Sequence, residues 1–215
     1  MEIYIIRHGQ TVWNKERKLQ GSTDIELTEE GRKMASLTGQ GMKGITFDKV
    51  FSSPLKRAYE TAQLIHAESN VVIEIDERIR EVSFGEYEGL NVDEMLNNEA
   101  CGFYHFFDKP ELYRAAEHGE TLEDVILRGK EFIEDKILPL EGKAQRVMIV
   151  AHGAMNKALL AAMLGRELKD FWKGNLQKNL GASIVDLTAG EFTLVKESQS
   201  FIVKDYSNFP PEIRA

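Results

Sequence analysis

Two dipeptides, His8-Gly9 and His152-Gly153, each follow a run of apolar residues that reads as a buried strand, residues 2–6 and residues 146–151. In open α/β sheets ligands bind beyond the carboxyl ends of the strands, so both imidazoles are expected at one sheet edge. The glycine behind each lets backbone approach a ligand with no side chain in the way. Arg7 precedes the first histidine, Arg57 follows Ser52-Ser53-Pro54-Leu55-Lys56, and Glu81 lies in a loop beyond a further strand candidate. The serine-proline run reads as a cap and a first helical position, which sets Arg57 at a helix N-terminus. A cation there opposes the macrodipole and implies a partner anion, for which the free N–H groups of the same turn are additional donors. These five side chains fit phosphoryl transfer. Two guanidiniums bind phosphate oxygens bidentately and stay charged at any working pH. An unprotonated imidazole is a competent nucleophile, and a second, protonated one would neutralise charge on the equatorial oxygens. A carboxylic acid would protonate the leaving oxygen and then, as carboxylate, activate water.

The elements that must position these groups alternate. Residues 2–6 and 146–151 are apolar on both alternations, as suits strands covered on both faces, and residues 48–51 and 71–75 read as further strands. Helical patterns occupy residues 28–38, 54–67, 121–136 and 154–164, and a hairpin is expected from residues 182–187 and 191–196 about Thr188-Ala189-Gly190. This order implies a three-layer α/β/α sandwich with a mostly parallel mixed sheet and an antiparallel edge. Neither a repeat nor a Pro/Gly/Ser linker divides the chain, so one domain over residues 1–215 is expected. Residues 97–118 fit no period and carry Phe103, Tyr104, Phe106, Phe107 and Tyr113. They read as an insertion, either a lid whose aromatic rings suit a ring-bearing leaving group or a hydrophobic cluster on the domain's flank.

The 215 residues are 42% hydrophobic and 29% charged, within the range of globular enzymes. A formal net charge of -8 argues against nucleic acid as a general partner and requires positive charge to be gathered in one pocket if the substrate is anionic. No apolar run is long enough for a membrane span, the start lacks a signal-peptide pattern, and the lone Cys101 forms no internal disulfide, so a reducing cytoplasm is expected. Metal-ligand pairings of the H-x-x-x-H, H-x-H or CxxC type are absent, and no metal or cofactor is implied. Each candidate taken alone has a plainer reading: a hydrogen-bonded structural histidine, a surface-paired arginine, a solvated loop glutamate. It is their joint arrangement on independent segments that points to chemistry. His66 and His105 receive no role; His118, beside Gly119-Glu120-Thr121, is a candidate neighbour of the site, although Thr121 with Asp124 also makes a helix cap.

The motifs together resemble the histidine phosphatase superfamily, the group related to phosphoglycerate mutase. Arg7-His8-Gly9-Gln10-Thr11 with Asn14, Gln20-Gly21-Ser22-Thr23-Asp24, and Leu27-Thr28-Glu29-Glu30-Gly31 occur in the family's order. So do Ser52-Ser53-Pro54-Leu55-Lys56-Arg57-Ala58 with Thr61-Ala62, Glu81 with Phe84-Gly85 and Glu88-Gly89, Gly119-Glu120-Thr121, and His152-Gly153. The resemblance implies that His8 is phosphorylated, that Arg7, Arg57 and His152 surround the phosphoryl group, and that Glu81 is the acid and base. It also implies that Asn14, Gln20, Gly21 and Gly153 line the substrate or phosphate pocket.

In the mutase branch of the family the acid residue is typically followed by Arg-His-Tyr-Gly, whereas Glu81 is followed by Val82-Ser83-Phe84-Gly85. The missing arginine and the short chain favour a phosphohydrolase acting on small phosphomonoesters, since hydrolysis needs only water access to the phosphohistidine. The alternatives are a cofactor-dependent phosphoglycerate mutase and a non-catalytic phosphate-binding module. The expected partner is a small anionic phosphorylated substrate, with the chain a monomer or homodimer.

Overall fold

The computed structural model describes residues 1–203. Strand β1 (Glu2–Arg7) is followed by a short helix α1 (Val12–Lys15) and by α2 (Glu29–Gly41). Thr28 caps α2 through its side chain, and Glu29 and Glu30 sit at the positive end of the dipole, which is why the helix starts there. Next come β2 (Lys49–Ser52), α3 (Lys56–Ile65), β3 (Ile73–Ile75) and the short α4 (Val92–Leu96). Then follow α5 (Leu122–Phe132), β4 (Arg146–Ala151), α6 (Gly153–Leu164) and the hairpin β5 (Ala182–Thr188) and β6 (Glu191–Gln199).

The six strands form one sheet in the order β3-β2-β4-β1-β5-β6. Pairings among β3, β2, β4 and β1 are parallel, and β5 and β6 add an antiparallel edge. Both faces are covered. Ile3, Ile5, Val147 and Ile149 pack with residues of α5 and α6, whereas Tyr4, Ile6, Met148 and Val150 pack with Ala35, Ala58 and Ala62 of α2 and α3. The double alternation in the central strands is thus used in full.

Several element readings shift, among them β3, which covers Ile73–Ile75 and not residues 71–75, and α2, which runs on to Gly41. Helix α3 begins at Lys56 with Leu55 as its N-cap, so Pro54 lies outside the helix and Ser53 is free for another task. Helix α5 ends at Phe132 and continues as a π-turn over Ile133–Ile137, followed by a 3-10 turn over Leu138–Leu140 with a proline in its first positions. Proline has no N–H to carry the α ladder onward, and the periodicity of the region does not register that.

Among residues 97–118 the packing favours the cluster over the free lid. Phe103 and Phe106 are buried in the main core, stack at 4.5 Å, and meet Phe84 edge-on. Trp172 closes over Phe106 and donates its indole N–H to the Phe106 carbonyl at 2.5 Å. Two of the rings expected to greet a substrate are therefore spent on packing. No helix among the described residues is long and apolar enough to cross a membrane.

Candidate active site

Sheet register brings the two histidines together. Arg7 lies opposite Ala151 in the parallel β1–β4 pair, so the next residue of each strand, His8 and His152, emerges at adjacent positions of one edge. Their ring centroids are 5.2 Å apart. The β2–β4 register sets Ser52 opposite Val150, which carries Ser53 alongside, and Ser53 Oγ shares a 2.7 Å hydrogen bond with His152 Nε2. Ser53, read from sequence as a helix cap, instead orients the second imidazole.

His8 is 2% exposed, and its Nδ1 lies 2.6 Å from the carbonyl oxygen of Gly9. A carbonyl only accepts, so Nδ1 carries the proton and Nε2 keeps its lone pair. Burial, then the charges of Arg57 and Arg7, hold the His8 pKa well below the ordinary histidine value, and the ring is neutral at neutral pH. That is the protonation state of a nucleophile. His152 is depressed in the same direction by burial, then by Arg57 and His8. The expectation of a protonated second imidazole is therefore corrected: beside two guanidiniums and out of water, His152 is neutral in this state.

Both arginines arrive where the sequence reading sets them. Arg57, in the first turn of α3, is fully buried and donates to the carbonyls of Thr23 (2.8 Å) and Gly21 (2.6 Å). Burial lowers its pKa to about 10, which leaves it charged at neutral pH. The loop that receives it is built by Glu88, whose carboxylate accepts the N–H groups of Ser22, Thr23 and Phe84. Gly21 has φ +56, and a Cβ there would lie 2.2 Å from Glu88 Oε1, so this position in the loop excludes side chains. Arg7 donates to the Gln177 carbonyl at 2.7 Å and flanks Gly153, where a Cβ would be 3.6 Å from the Arg7 guanidinium carbon, an ordinary contact.

Glu81 completes the set from a loop. Its carboxylate accepts the N–H groups of Met155 (2.9 Å) and Ala154 (3.2 Å) in the first turn of α6. His152, the N-cap of that helix, provides no side-chain cap, and Glu81 takes the N–H groups left open. Asn14 and Gln20 are held through Thr11, three residues beyond His8. Asn14 Oδ1 accepts from Thr11 N–H and from Asn179 Nδ2, and Gln20 Oε1 accepts from Thr11 Oγ, which leaves the amino end of each amide to donate elsewhere. Asn179 also donates to the carbonyl of His8, and Gln177 ties Asn156 and Ile5 to the same loop. Sequence reading missed Gln177, Asn179 and Ser53, since a lone amide or hydroxyl between elements carries no spacing signal. His118 is 84% exposed and stands in a left-handed conformation (φ +60), with Glu117 as its ionic neighbour.

Three buried polar atoms here, Arg7 Nε, Arg57 Nε and His152 Nδ1, have no partner among the described residues. Unpaired buried polar atoms are rare in folded proteins, and these three belong to two guanidiniums and a ring that neighbour His8, an arrangement that could receive an anion. A separate cavity of about 560 Å³, lined in part by Met42, Phe47, Ile65 and His66, is formed at the C-terminal ends of α2 and α3 and not by these residues.

The depressed histidines couple protonation to stability. Unfolded, both titrate near 6.5; folded, they refuse the proton until well below it, so the unfolded state binds more protons on the acid side. Stability of the ligand-free protein is accordingly full above about pH 6.5 and falls as pH drops toward the folded values. Melting temperatures between about pH 7.5 and about pH 5 check this, and His8→Gln should flatten the slope.

Comparison with known proteins shows the family and the fold. The model of the histidine phosphatase superfamily (branch 1) matches residues 3–199. Phosphoserine phosphatase 1 of Hydrogenobacter thermophilus is 31% identical over 172 residues, 80% of this chain and 80% of that protein. Bacillus stearothermophilus YhfR superposes with a TM-score of 0.83 at 32% identity, covering 94% of this chain and 99% of that one. A mutant phosphoserine phosphatase from Entamoeba histolytica, crystallised with phosphoserine, gives 0.79 at 29% identity over 92% of this chain and 96% of that one. With its two histidines, two buried-edge arginines and loop carboxylate on one α/β sheet, this chain belongs to the histidine phosphatase superfamily.

Proposed function

We propose that the chain is a metal-independent phosphomonoesterase that works through a phosphohistidine on His8. The observation that carries the reading is that Arg7 Nε, Arg57 Nε and His152 Nδ1 are buried without a partner among the described residues, on two guanidiniums whose charges act on His8 and on the ring beside it. The His8 Nε2 lone pair attacks phosphorus as the P–O bond to the leaving group breaks, and Glu81 as its acid form gives that oxygen a proton. Glu81, now a carboxylate, then takes a proton from water as the water oxygen attacks the phosphohistidine, which returns His8 and releases inorganic phosphate. The two guanidiniums and the His152 Nδ1–H stabilise the charge on the equatorial oxygens. Asn14 and Gln20 supply further donors, while the Gly21 carbonyl holds the Arg57 guanidinium and Gly153 lies against that of Arg7.

Hydrolysis is favoured over mutase chemistry by the two residues after Glu81. Val82 is fully buried in the core, and Ser83 N–H is held by Glu120, so neither offers a cation to a second anionic group of a retained substrate. The substrate class is a small phosphomonoester, with phosphoserine the first to test given the relatives. A reducing compartment suits the lone Cys101.

Phosphate release from phosphoserine, 3-phosphoglycerate, sugar phosphates and p-nitrophenyl phosphate, measured in excess EDTA, is the test. Turnover is expected to survive chelation unchanged. Loss of activity that returns with a divalent cation, or exchange between 3- and 2-phosphoglycerate without phosphate release, would overturn the proposal.

A further inference from the structure

The loop that carries Glu81 has no strand or helix of its own to hold it. Between the 3-10 turn Glu77–Ile79 and the one at Gly85–Tyr87 the backbone is irregular, yet an acid group must stand within hydrogen-bond reach of one leaving oxygen. Arg128, on α5 and outside the anion cradle, meets that loop with its whole guanidinium. Its Nη1 donates to the carbonyls of Arg78 (2.6 Å) and Arg80 (2.7 Å), and its Nη2 donates to the carbonyl of Glu81 itself (3.2 Å). Nε and Nη2 reach the two oxygens of Glu120 at 2.8 and 3.1 Å, so all five N–H donors have acceptors. Glu120 closes the clamp on the other side of Glu81: its Oε2 accepts Ser83 N–H at 2.7 Å, and its own N–H donates to the Ser83 carbonyl at 2.7 Å.

We infer that the Arg128–Glu120 pair is a positioning device for Glu81, fixing the backbone on both sides of the acid while α6 fixes its carboxylate. This rests on the reading of Glu81 as general acid. The Nη1 group also lies 3.0 Å from the sulfur of Met155, whose N–H donates to Glu81 Oε1 at 2.9 Å, so the clamp and the helix end that receives the carboxylate are in direct contact. An isolated ion pair with partners 17% and 28% exposed would contribute little. The function of the pair lies in the three carbonyls, which only a planar fork can gather at once. Lysine would keep the charge opposite Glu120 and lose that geometry.

A misplaced acid leaves a signature that a merely loosened fold does not. Alkyl phosphates expel an alkoxide that needs a proton, whereas p-nitrophenyl phosphate expels an anion stable without one. Arg128→Lys is expected to lower kcat/KM for phosphoserine or glycerol phosphate by roughly tenfold to a hundredfold, and to leave p-nitrophenyl phosphate much less affected. Glu81→Gln should show the same selectivity, larger. Glu120→Gln, which keeps shape and loses charge, should show it in smaller degree and serves in place of Arg128→Lys if that protein fails to fold. Equal losses for both leaving groups in the folded variant, with Glu81→Gln still selective, would overturn this inference alone. Equal losses in Glu81→Gln would overturn the acid assignment on which it stands.

Discussion

His8→Ala is expected to lose about 10^5- to 10^6-fold in kcat, the scale seen when a covalent nucleophile is removed and only binding and charge stabilisation are left. The reason lies in the single lone pair. Gly9 O holds the His8 proton on Nδ1, so Nε2 is the nitrogen free to attack, and burial beside Arg57 and Arg7 keeps the ring neutral where an exposed histidine would be partly charged. No other side chain in the cradle offers the same. His152 has its Nε2 engaged by Ser53 Oγ at 2.7 Å, whereas the Nε2 of His8 carries no such bond among the described residues. Substrate affinity should change far less than turnover, because both guanidiniums and His152 stay in place. Rapid quench with phosphorus-labelled substrate should give acid-labile, alkali-stable label on the wild-type protein and none on His8→Ala. Label on another residue, or a variant with normal turnover, would remove His8 from the mechanism.

For Arg57→Met the expected loss in kcat/KM is about 10^2- to 10^3-fold, the usual effect of deleting one donor to developing charge in a water-poor site. Two further changes should accompany it, and both stem from burial. Arg57 is the second cause, after desolvation, of the depressed pKa of His8 and the first charge acting on His152. Without that charge both histidines take a proton more readily, so the acid limb of the rate profile moves to higher pH. Their folded pKa values also move toward the unfolded one, and the decline of stability on the acid side becomes shallower. Inorganic phosphate or vanadate should raise the melting temperature of the wild type by mass action and do so much less in Arg57→Met. A variant that still melts higher with phosphate, and whose acid limb does not move, would place Arg57 outside the anion site.

These two experiments separate the covalent step from the charge that serves it. They also use the same chain of cause: a buried cation lowers the pKa of a neighbouring imidazole, which is then both unprotonated for attack and a liability for stability in acid. Activity and acid stability should therefore trade against each other in this site.

Much of this was legible in the residues. The double apolar alternation of the runs ending at Arg7 and Ala151 requires strands covered on both faces, and such strands deliver their next residues to a common edge, so His8 and His152 could be named before any coordinates. Alternating strands and helices likewise determine a three-layer sandwich, and the hairpin at the end determines its antiparallel edge. Tertiary structure alone decided the rest. Register, which depends on side-chain packing across strands and not on any one strand's pattern, set Arg7 against Ala151 and Ser52 against Val150, and so turned Ser53 from a helix cap into a partner of His152. Protonation was equally invisible, because it depends on how much water two folded layers exclude and how near they bring two guanidiniums; it made His152 neutral where isolated chemistry suggested a cation. The insertion's aromatic rings and the fork of Arg128 acquired their roles from neighbours 66 residues away in the case of Phe106 and Trp172 and 50 in the case of Arg128 and Arg78, separations that only a closed chain converts into contact.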